Sequence, residues 1–263
     1  MRSRERNPIT RRHALRKEIA LRGAVSVAEL SSLLNASPAT IRRDLKALDE
    51  EGVLSKGYGG ASIRPLRPAE EALAVRQRKF VSEKQAIAKA AVGLIKSGDT
   101  VFLNDGSTIL ELAREIALTD LEIFIATPAV NIAEILAKNS NITVCLLGGL
   151  LRQTSLATGG HFAISIVNQI NADLAFLSCD AFSLTDGMCF THPDDAAVAA
   201  RMSVKATRTI GLVHIAKIDW KARISSVPVD AIDTLITEAQ HPELESRLLQ
   251  ANVEMIVAGF KAE

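Results

Sequence analysis

Seven short apolar runs punctuate the chain from residue 83 onward: "TVFLN", "EIFIA", "ITVCLL", "DLAFLS", "TIGLVH", "IDTLIT" and "VEMIV". Between most of them lie helix-patterned segments such as "STILELAREIA", "AVNIAEILAK", "HFAISIVNQI" and "AAVAARMSVKA". This alternation restricts the fold more than any other feature. Strands apolar on both faces must be covered on both, and a helix between consecutive strands lets them run parallel. Residues 83–263 are therefore expected to form a largely parallel sheet flanked by helices. In such sheets ligands bind beyond the carboxyl ends of the strands, so the residues that close each run carry the information.

Those closing residues read "NDGST", "ATPAV", "LLGGLLR", "SCDAF" and "HIAK". Gly106, Ser107 and Thr108 follow Asn104 and Asp105 and open a helix, which places backbone N–H groups and hydroxyls where an anion could be held. Turns of the same composition are also common without a ligand. Gly148 and Gly149 either let backbone approach a ligand or simply turn the chain. Arg152 and Lys217 each read as a phosphate partner or as a solvated cation. His214 is either a group titrating near neutral pH or a packed polar residue. His161 and His192 lack metal-ligand spacing. Cys145, Cys179 and Cys189 are too few and too widely spaced for a disulfide framework or a zinc site, so they are expected to be small buried residues. No metal, cofactor or catalytic residue is expected.

Residues 1–65 follow another pattern. "ITRRHALRKEIALRG" puts Ile9, Leu15 and Ile19 on one side of a first helix that stops at Gly23. "SVAELSSLL" offers Ser26 as N-cap, with Val27, Leu30, Leu33 and Leu34 inward, and "NAS" makes a tight turn. A third helix is announced by Ser37 as cap and Pro38 at the first helical position. At roughly 100° per residue, Ile41, Leu45 and Leu48 face inward and Ala39, Arg43 and Lys46 outward, with Thr40 and Arg42 at the flanks. An outward face that is small at its start, hydroxylated and cationic suits a helix entering the major groove, where Arg forks onto guanine and Ser or Thr bonds phosphate or base edges. Paired arginines also occur on solvated helices. Three short helices, the tight turn and the charge together match a helix-turn-helix. Between residues 1 and 68, fourteen Lys and Arg stand against seven Asp and Glu, so a basic head precedes a mildly acidic body. "VLSKGYGGAS" then reads as the hairpin of a winged helix-turn-helix. Lys56 and Tyr58 at its tip either reach DNA or are ordinary hairpin surface. "RPLRPAEEA" opens a stiff polar linker over 66–82.

The expected fold class is thus α/β with a small α+β head: a winged helix-turn-helix over 1–65, a linker over 66–82, and an effector-binding and oligomerisation domain over 83–263. The N-terminal "MRSRERNPITRRHALRKEI" has no apolar core of a signal peptide, and nowhere do ~20 apolar residues run together. A cytoplasmic protein without a membrane partner is expected.

The ordered run of "VSVAEL", "SPATIRRDL", "LDEEG" and "GYGGA" resembles the N-terminal domain of the DeoR family of bacterial transcriptional regulators, whose T-I-R-R-D-L helix is the recognition helix. The resemblance implies that Thr40, Arg42 and Arg43 sit at DNA, with Asp44 and Leu45 holding the helix in place. The candidate DNA contacts are Ser37, Ala39, Thr40, Arg42, Arg43, Lys46, Lys56 and Tyr58. Arg42, at a flank, fits phosphate as well as bases, and phosphate contacts position a protein without reading sequence. The body resembles the family's effector domain, which is related to sugar-phosphate isomerases. Its G-T-T loop is matched by Gly106, Ser107 and Thr108, its T-N by Thr127, its G-G-x-x-R by Gly148, Gly149 and Arg152, and its D-x-x-K by Lys217. These positions, with Asn104 and Asp105, are implied to surround a phosphorylated sugar or related metabolite. Four positions depart from the pattern: Asn104 and His214 replace aspartates, Pro128 replaces an asparagine and Ala199 a lysine. Each removes a charge or a donor from the implied site.

The resulting expectation is a sequence-specific DNA-binding regulator, a repressor of a sugar or carbohydrate catabolic operon relieved by a phosphorylated metabolite. Because one recognition helix reads only a few base pairs, a homo-oligomer on a double-stranded operator is expected. Two alternatives are a constitutive regulator with a decayed effector site and an isomerase-type enzyme, the latter disfavoured by the missing charges at 104, 199 and 214.

Overall fold

The structure, a computed structural model, describes residues 11, 12, 14, 15, 18, 19, 24–50, 54–57, 60–63, 71–219 and 221–259. The chain divides into two compact units, Met1–Pro68 and Ala69–Glu263.

In the first unit the described residues between 11 and 19 are helical. They are followed by β1 (Ala24–Ser26), α1 (Val27–Leu34), α2 (Pro38–Glu50), β2 (Leu54–Gly57) and β3 (Gly60–Ile63). Ser26 starts α1 through a reciprocal capping box: its Oγ accepts from the Glu29 N–H at 3.2 Å, while the Glu29 carboxylate accepts from the Ser26 N–H at 2.8 Å. Asn35, at a φ of 49°, ends the helix in the left-handed conformation that a short amide side chain tolerates. Leu15, Ile19, Val25, Leu30, Leu34, Ile41, Leu45 and Leu48 form one core. Leu33 was expected there but is 44% exposed, since Leu30 and Leu34 define the inward stripe and Leu33 lies a quarter-turn off it. Strand β1 was not anticipated from the sequence. It pairs with β3, so the wing is a three-stranded antiparallel sheet of order β1-β3-β2. The expected helix stop at Gly23 lies outside the described residues.

The second unit opens with α3 (Leu73–Arg76) and α4 (Val81–Val92). The described part of the expected linker, from residue 71, is packed on this unit: Leu73 is buried and its N–H donates to the Thr154 carbonyl at 3.0 Å. Then follow β4 (Thr100–Leu103), α5 (Ser107–Ala117), β5 (Ile123–Thr127), α6 (Val130–Leu136), β6 (Ile142–Leu146), β7 (Leu150–Arg152), β8 (Ala157–Gly159), α7 (His161–Gln169) and β9 (Ala172–Leu177). The chain continues through β10 (Ala181–Ser183), β11 (Gly187–Phe190), α8 (Pro193–Lys205), β12 (Ala206–Leu212), β13 (Ile224–Val227), β14 (Thr234–Thr237), α9 (Pro242–Gln250) and β15 (Glu254–Val257).

All seven apolar runs join one parallel sheet of order β15-β14-β12-β9-β4-β5-β6. Successive side chains alternate between two cores, as strand geometry requires. Val101, Leu103, Leu174 and Phe176 meet α4, α5 and α6 on one face through Ile87, Ile109, Leu112 and Leu136. Phe102, Ala175 and Leu177 meet α7, α8 and α9 on the other through Val167, Met202, Leu244 and Leu248. Two small antiparallel additions, the β7–β8 hairpin and the sheet β10-β11-β13, complete the unit. No helix among the described residues is long and apolar enough to cross a membrane.

The strand order reverses at one place. From β4 the chain builds outward through β5 and β6, and from β9 it builds the other way through β12, β14 and β15. The connections that leave the paired ends of β4 and β9 lead to helices on opposite faces of the sheet, α5 and α8, the arrangement that leaves the crevice in which open parallel sheets bind ligands.

Candidate DNA interface and sensor site

Helix α2 begins where its cap dictates. The Ser37 Oγ accepts from the Thr40 N–H at 3.2 Å and lies 2.8 Å from the Thr40 hydroxyl. Ile41, Leu45 and Leu48 are buried, while Ser37, Ala39, Arg42, Arg43 and Lys46 are exposed and Thr40 partly so. Asp44 faces inward, and its carboxylate takes Arg11 Nε at 2.5 Å and Arg12 Nε at 3.5 Å. That buried pairing ties α2 to the helical segment before it and fixes which face of α2 stays outward. Lys56 was expected at the hairpin tip but sits within β2, opposite Ala61. Tyr58 lies outside the described residues.

At the sheet reversal, Asn104 is committed to the fold. Its amide nitrogen donates to the Ser178 carbonyl at 2.8 Å, and its amide oxygen accepts from the Ser178 N–H at 2.9 Å. This clamp across the ends of β4 and β9 corrects the expectation of a ligand contact: both ends of the buried amide are occupied. An ionised aspartate could accept there but not donate, so the asparagine has a structural reason. Thr127 is likewise turned to the backbone, its Oγ1 accepting from the Ala129 N–H at 3.2 Å.

Gly106, at a φ of 118°, takes a conformation that L side chains rarely adopt and carries the chain into α5. No side chain caps that helix. Ser107 and Thr108 are buried in its first turn, and the Thr108 hydroxyl finds no hydrogen-bond partner among the described residues. Ser178 packs next to Gly106, and Lys217 Nζ lies 3.4 Å from the Ser178 hydroxyl while donating to the Cys179 carbonyl at 2.6 Å. Gly149 is a packing requirement: with a φ of 135°, a Cβ there would stand 2.3 Å from the Gly159 carbonyl oxygen of the β7–β8 hairpin. Gly148 has no such constraint, since a Cβ would meet Ile166 at an ordinary 3.6 Å. Arg152, on the hairpin, pairs with Asp195 of α8.

Charge gathers around this edge. Burial pushes the Asp105 carboxyl up to about 7, and the neighbouring Asp195 and Asp180 add to the shift while Arg76 opposes it. Burial, followed by the charge of Lys217, lowers Lys84 to about 8. Lys217 is lowered by burial too, with Arg76 pushing the same way. His214 has the bland role. Its Nδ1 accepts from the Ala216 N–H at 3.0 Å, which leaves the proton on Nε2, 3.3 Å from Glu238. Burial, then Lys217, lowers it to about 4, so it stays neutral near pH 7. Cys179 and Cys189 are buried and Cys145 partly so. No group of three or more His, Cys, Asp or Glu among the described residues could hold a metal ion.

Both units have counterparts. Residues 79–239 match the family model described as the DeoR C terminal sensor domain, and residues 11–64 match the DeoR-like helix-turn-helix domain. The chain belongs to the DeoR family. Its relatives in that family include the lactose phosphotransferase system repressor of Staphylococcus epidermidis, 34% identical over 75% of this chain and 78% of that one. The putative aga operon transcriptional repressor of Escherichia coli O157:H7 is 30% identical over 95% of this chain and 93% of its own. Among solved structures, ribose 5-phosphate isomerase A of Methanocaldococcus jannaschii aligns with 51% of this chain and 53% of its own at 21% identity and a TM-score of 0.38. As a DeoR-family member the protein is a DNA-binding transcriptional regulator, not an enzyme.

The site of this DeoR-family chain also holds Asp180, from the loop after β9, and Asp195 of α8, neither among the candidate effector contacts, and Arg76 from the segment taken as linker, its NH1 3.6 Å from Asp180. Lys84 of α4 is buried and holds the carbonyls of Arg76 and Lys79 at 2.5 and 2.6 Å. Position after a strand marked Asp180; nothing local marked Arg76 or Lys84.

Proposed function

We propose that this regulator represses a sugar or carbohydrate catabolic operon and that a phosphorylated metabolite, bound at the β4–β9 reversal, relieves the repression. The observation that carries this reading is the start of α5. An eleven-residue helix begins there with no side-chain cap and a buried, unpartnered Thr108 hydroxyl, next to Ser178 and Lys217. Free N–H groups at a helix start favour anions, and the cations crowd here: after burial, Lys217 and Arg76 lower Lys84, and Arg76 lowers Lys217, a repulsion that an anion would relieve. Asp105 and Asp180 would accept from sugar hydroxyls. The names of two relatives, a lactose phosphotransferase system repressor and an aga operon repressor, support a carbohydrate setting.

On the DNA side, Arg42, Arg43 and Lys46 with Thr40 form the reading face of α2, and Lys56 contributes from the wing. Useful specificity needs two or more such heads on repeated half-sites, so the working form is a cytoplasmic homo-oligomer. The effector acts by its differential affinity for the DNA-competent and released arrangements.

The test is to select bound fragments from the source genome, then titrate sugar monophosphates against the fluorescent complex. One of them should displace DNA and, at a hundred times its dissociation constant, stabilise the protein by ~2.7 kcal/mol. If none displaces DNA and none stabilises the protein, the regulator is constitutive and the effector reading fails.

A further inference from the structure

Arg76 is placed at a cost that its visible partners do not offset. Its side chain is 18% exposed, yet Nε and NH2 are shielded from solvent without a hydrogen-bond partner among the described residues. Among the described residues its one ion pair is with Asp180, which stands 3.6 Å from NH1, beyond hydrogen-bond length. A buried donor left unmade costs more than an ordinary hydrogen bond contributes, and a charged one costs more still.

The segment carrying it is nonetheless held firmly. Leu73 is buried and bonded to Thr154 of the β7–β8 turn. Lys84 gathers the carbonyls of Arg76 and Lys79. Phe80 reverses the chain at a φ of 53° and lays its ring 4.1 Å from that of His214. A short strap, residues 71–80, is thus fastened along the carboxyl edge of the sheet and presents a guanidinium whose Nε and NH2 donors are unused. Those two donors form the fork that matches two oxygens of a phosphate or carboxylate.

We infer that Arg76 is an anion-binding residue of the effector site: on binding, its Nε and NH2 grip two oxygens of the ligand's phosphate, so that the ligand clamps the strap. This rests on the reading of the β4–β9 reversal as an anion-binding effector site. In the unliganded protein Asp180 steadies the guanidinium at a distance; with ligand present it is freed for a hydroxyl. The strap is the part of the second unit that comes first in the chain, so its grip bears on the segment leading back to the DNA-binding unit.

The experiment compares full-length wild type with Arg76→Gln and Arg76→Lys, using inorganic phosphate and, separately, pentose and hexose monophosphates as probes, with melting temperature and hydrogen exchange over 71–80 as readouts. Wild type should melt higher with the probe and exchange more slowly over the strap. Arg76→Gln should bind the probe at least tenfold more weakly and lose the slowing, while melting within about 2 °C of wild type when unliganded, because it surrenders no hydrogen bond. Arg76→Lys, charged but unable to fork, should fall between them, and it carries the test if the glutamine variant does not fold. Wild-type affinity in both variants overturns the inference and leaves the anion site standing. A drop of several degrees in both unliganded variants also overturns it, since Arg76 would then be a structural strut. No response of wild type to phosphate or to any monophosphate removes both the effector reading and this inference.

Discussion

At the scale of single residues, the buried polar groups separate into those the fold consumes and those it leaves available. Asn104 is consumed. Asn104→Asp should destabilise the protein by about 1–3 kcal/mol at pH 7, because an ionised carboxylate cannot donate to the Ser178 carbonyl and loses its hydration. Urea unfolding of the two proteins measures this, and equal midpoints would refute the clamp. Asp105 is available and under strain of charge. Its folded pKa of about 7 lies above the 3.8 of an ordinary aspartate, so the folded chain keeps a proton that the unfolded chain has released between those values. Stability is therefore lost as pH rises through that window. Asp105→Asn should gain about 1–3 kcal/mol at pH 8 and almost nothing at pH 4. A pH series of melting temperatures decides: an advantage that stays constant with pH would show that charge is not the cause. Both residues are visible in "NDGST", but their division of labour is not, because it depends on Ser178 and Asp195, more than seventy positions away.

At the scale of elements, what can be read locally and what cannot follow from where each element finds its partners. Inner strands such as β4, β9 and β14 are legible because they are buried on both faces and so must be apolar, whereas the edge strands β6 and β15 are partly exposed and are marked by their apolar runs alone. Helix α2 was legible because its cap, stripe and outward face all lie within Ser37–Leu48. The β7–β8 hairpin was not, since "LLRQTSLATG" carries three exposed leucines, Leu150, Leu151 and Leu156, and no alternation to betray it. Its signal is steric and non-local, the contact of Gly149 with Gly159. Gly149→Ala should cost about 2–4 kcal/mol from the unfavourable φ and the overlap with the Gly159 carbonyl, whereas Gly148→Ala should cost under ~1 kcal/mol. Chemical denaturation of the pair tests this, and similar losses would place the constraint elsewhere. The strap was hidden for a related reason: prolines and charges read as a tether, and what fastens it is the buried Leu73, Lys84 eight residues after Arg76, and His214 in the turn after β12.

At the scale of the whole molecule, a basic unit presents an exposed cationic helix and an acidic unit holds a cluster of buried charges; under the function proposed above, they divide recognition between DNA and a small anion. Arg43→Ala should weaken binding to the selected DNA by about 1–3 kcal/mol and flatten preference at one base pair, leaving thermal stability unchanged because the side chain is exposed. Competition with scrambled duplex measures it; equal losses on both would make Arg43 a phosphate contact. The strap has a consequence of its own. Arg76 and Lys79 are residues after which trypsin cuts, and the carbonyls of those two peptide bonds are the ones that Lys84 holds. A protease must pull a scissile bond into an extended form in its own cleft, so digestion there can proceed only when the lysine lets go. The rate of nicking after Arg76 and Lys79 would thus serve as a gauge of how often the strap lifts, readable on a gel without knowing the operator or the inducer.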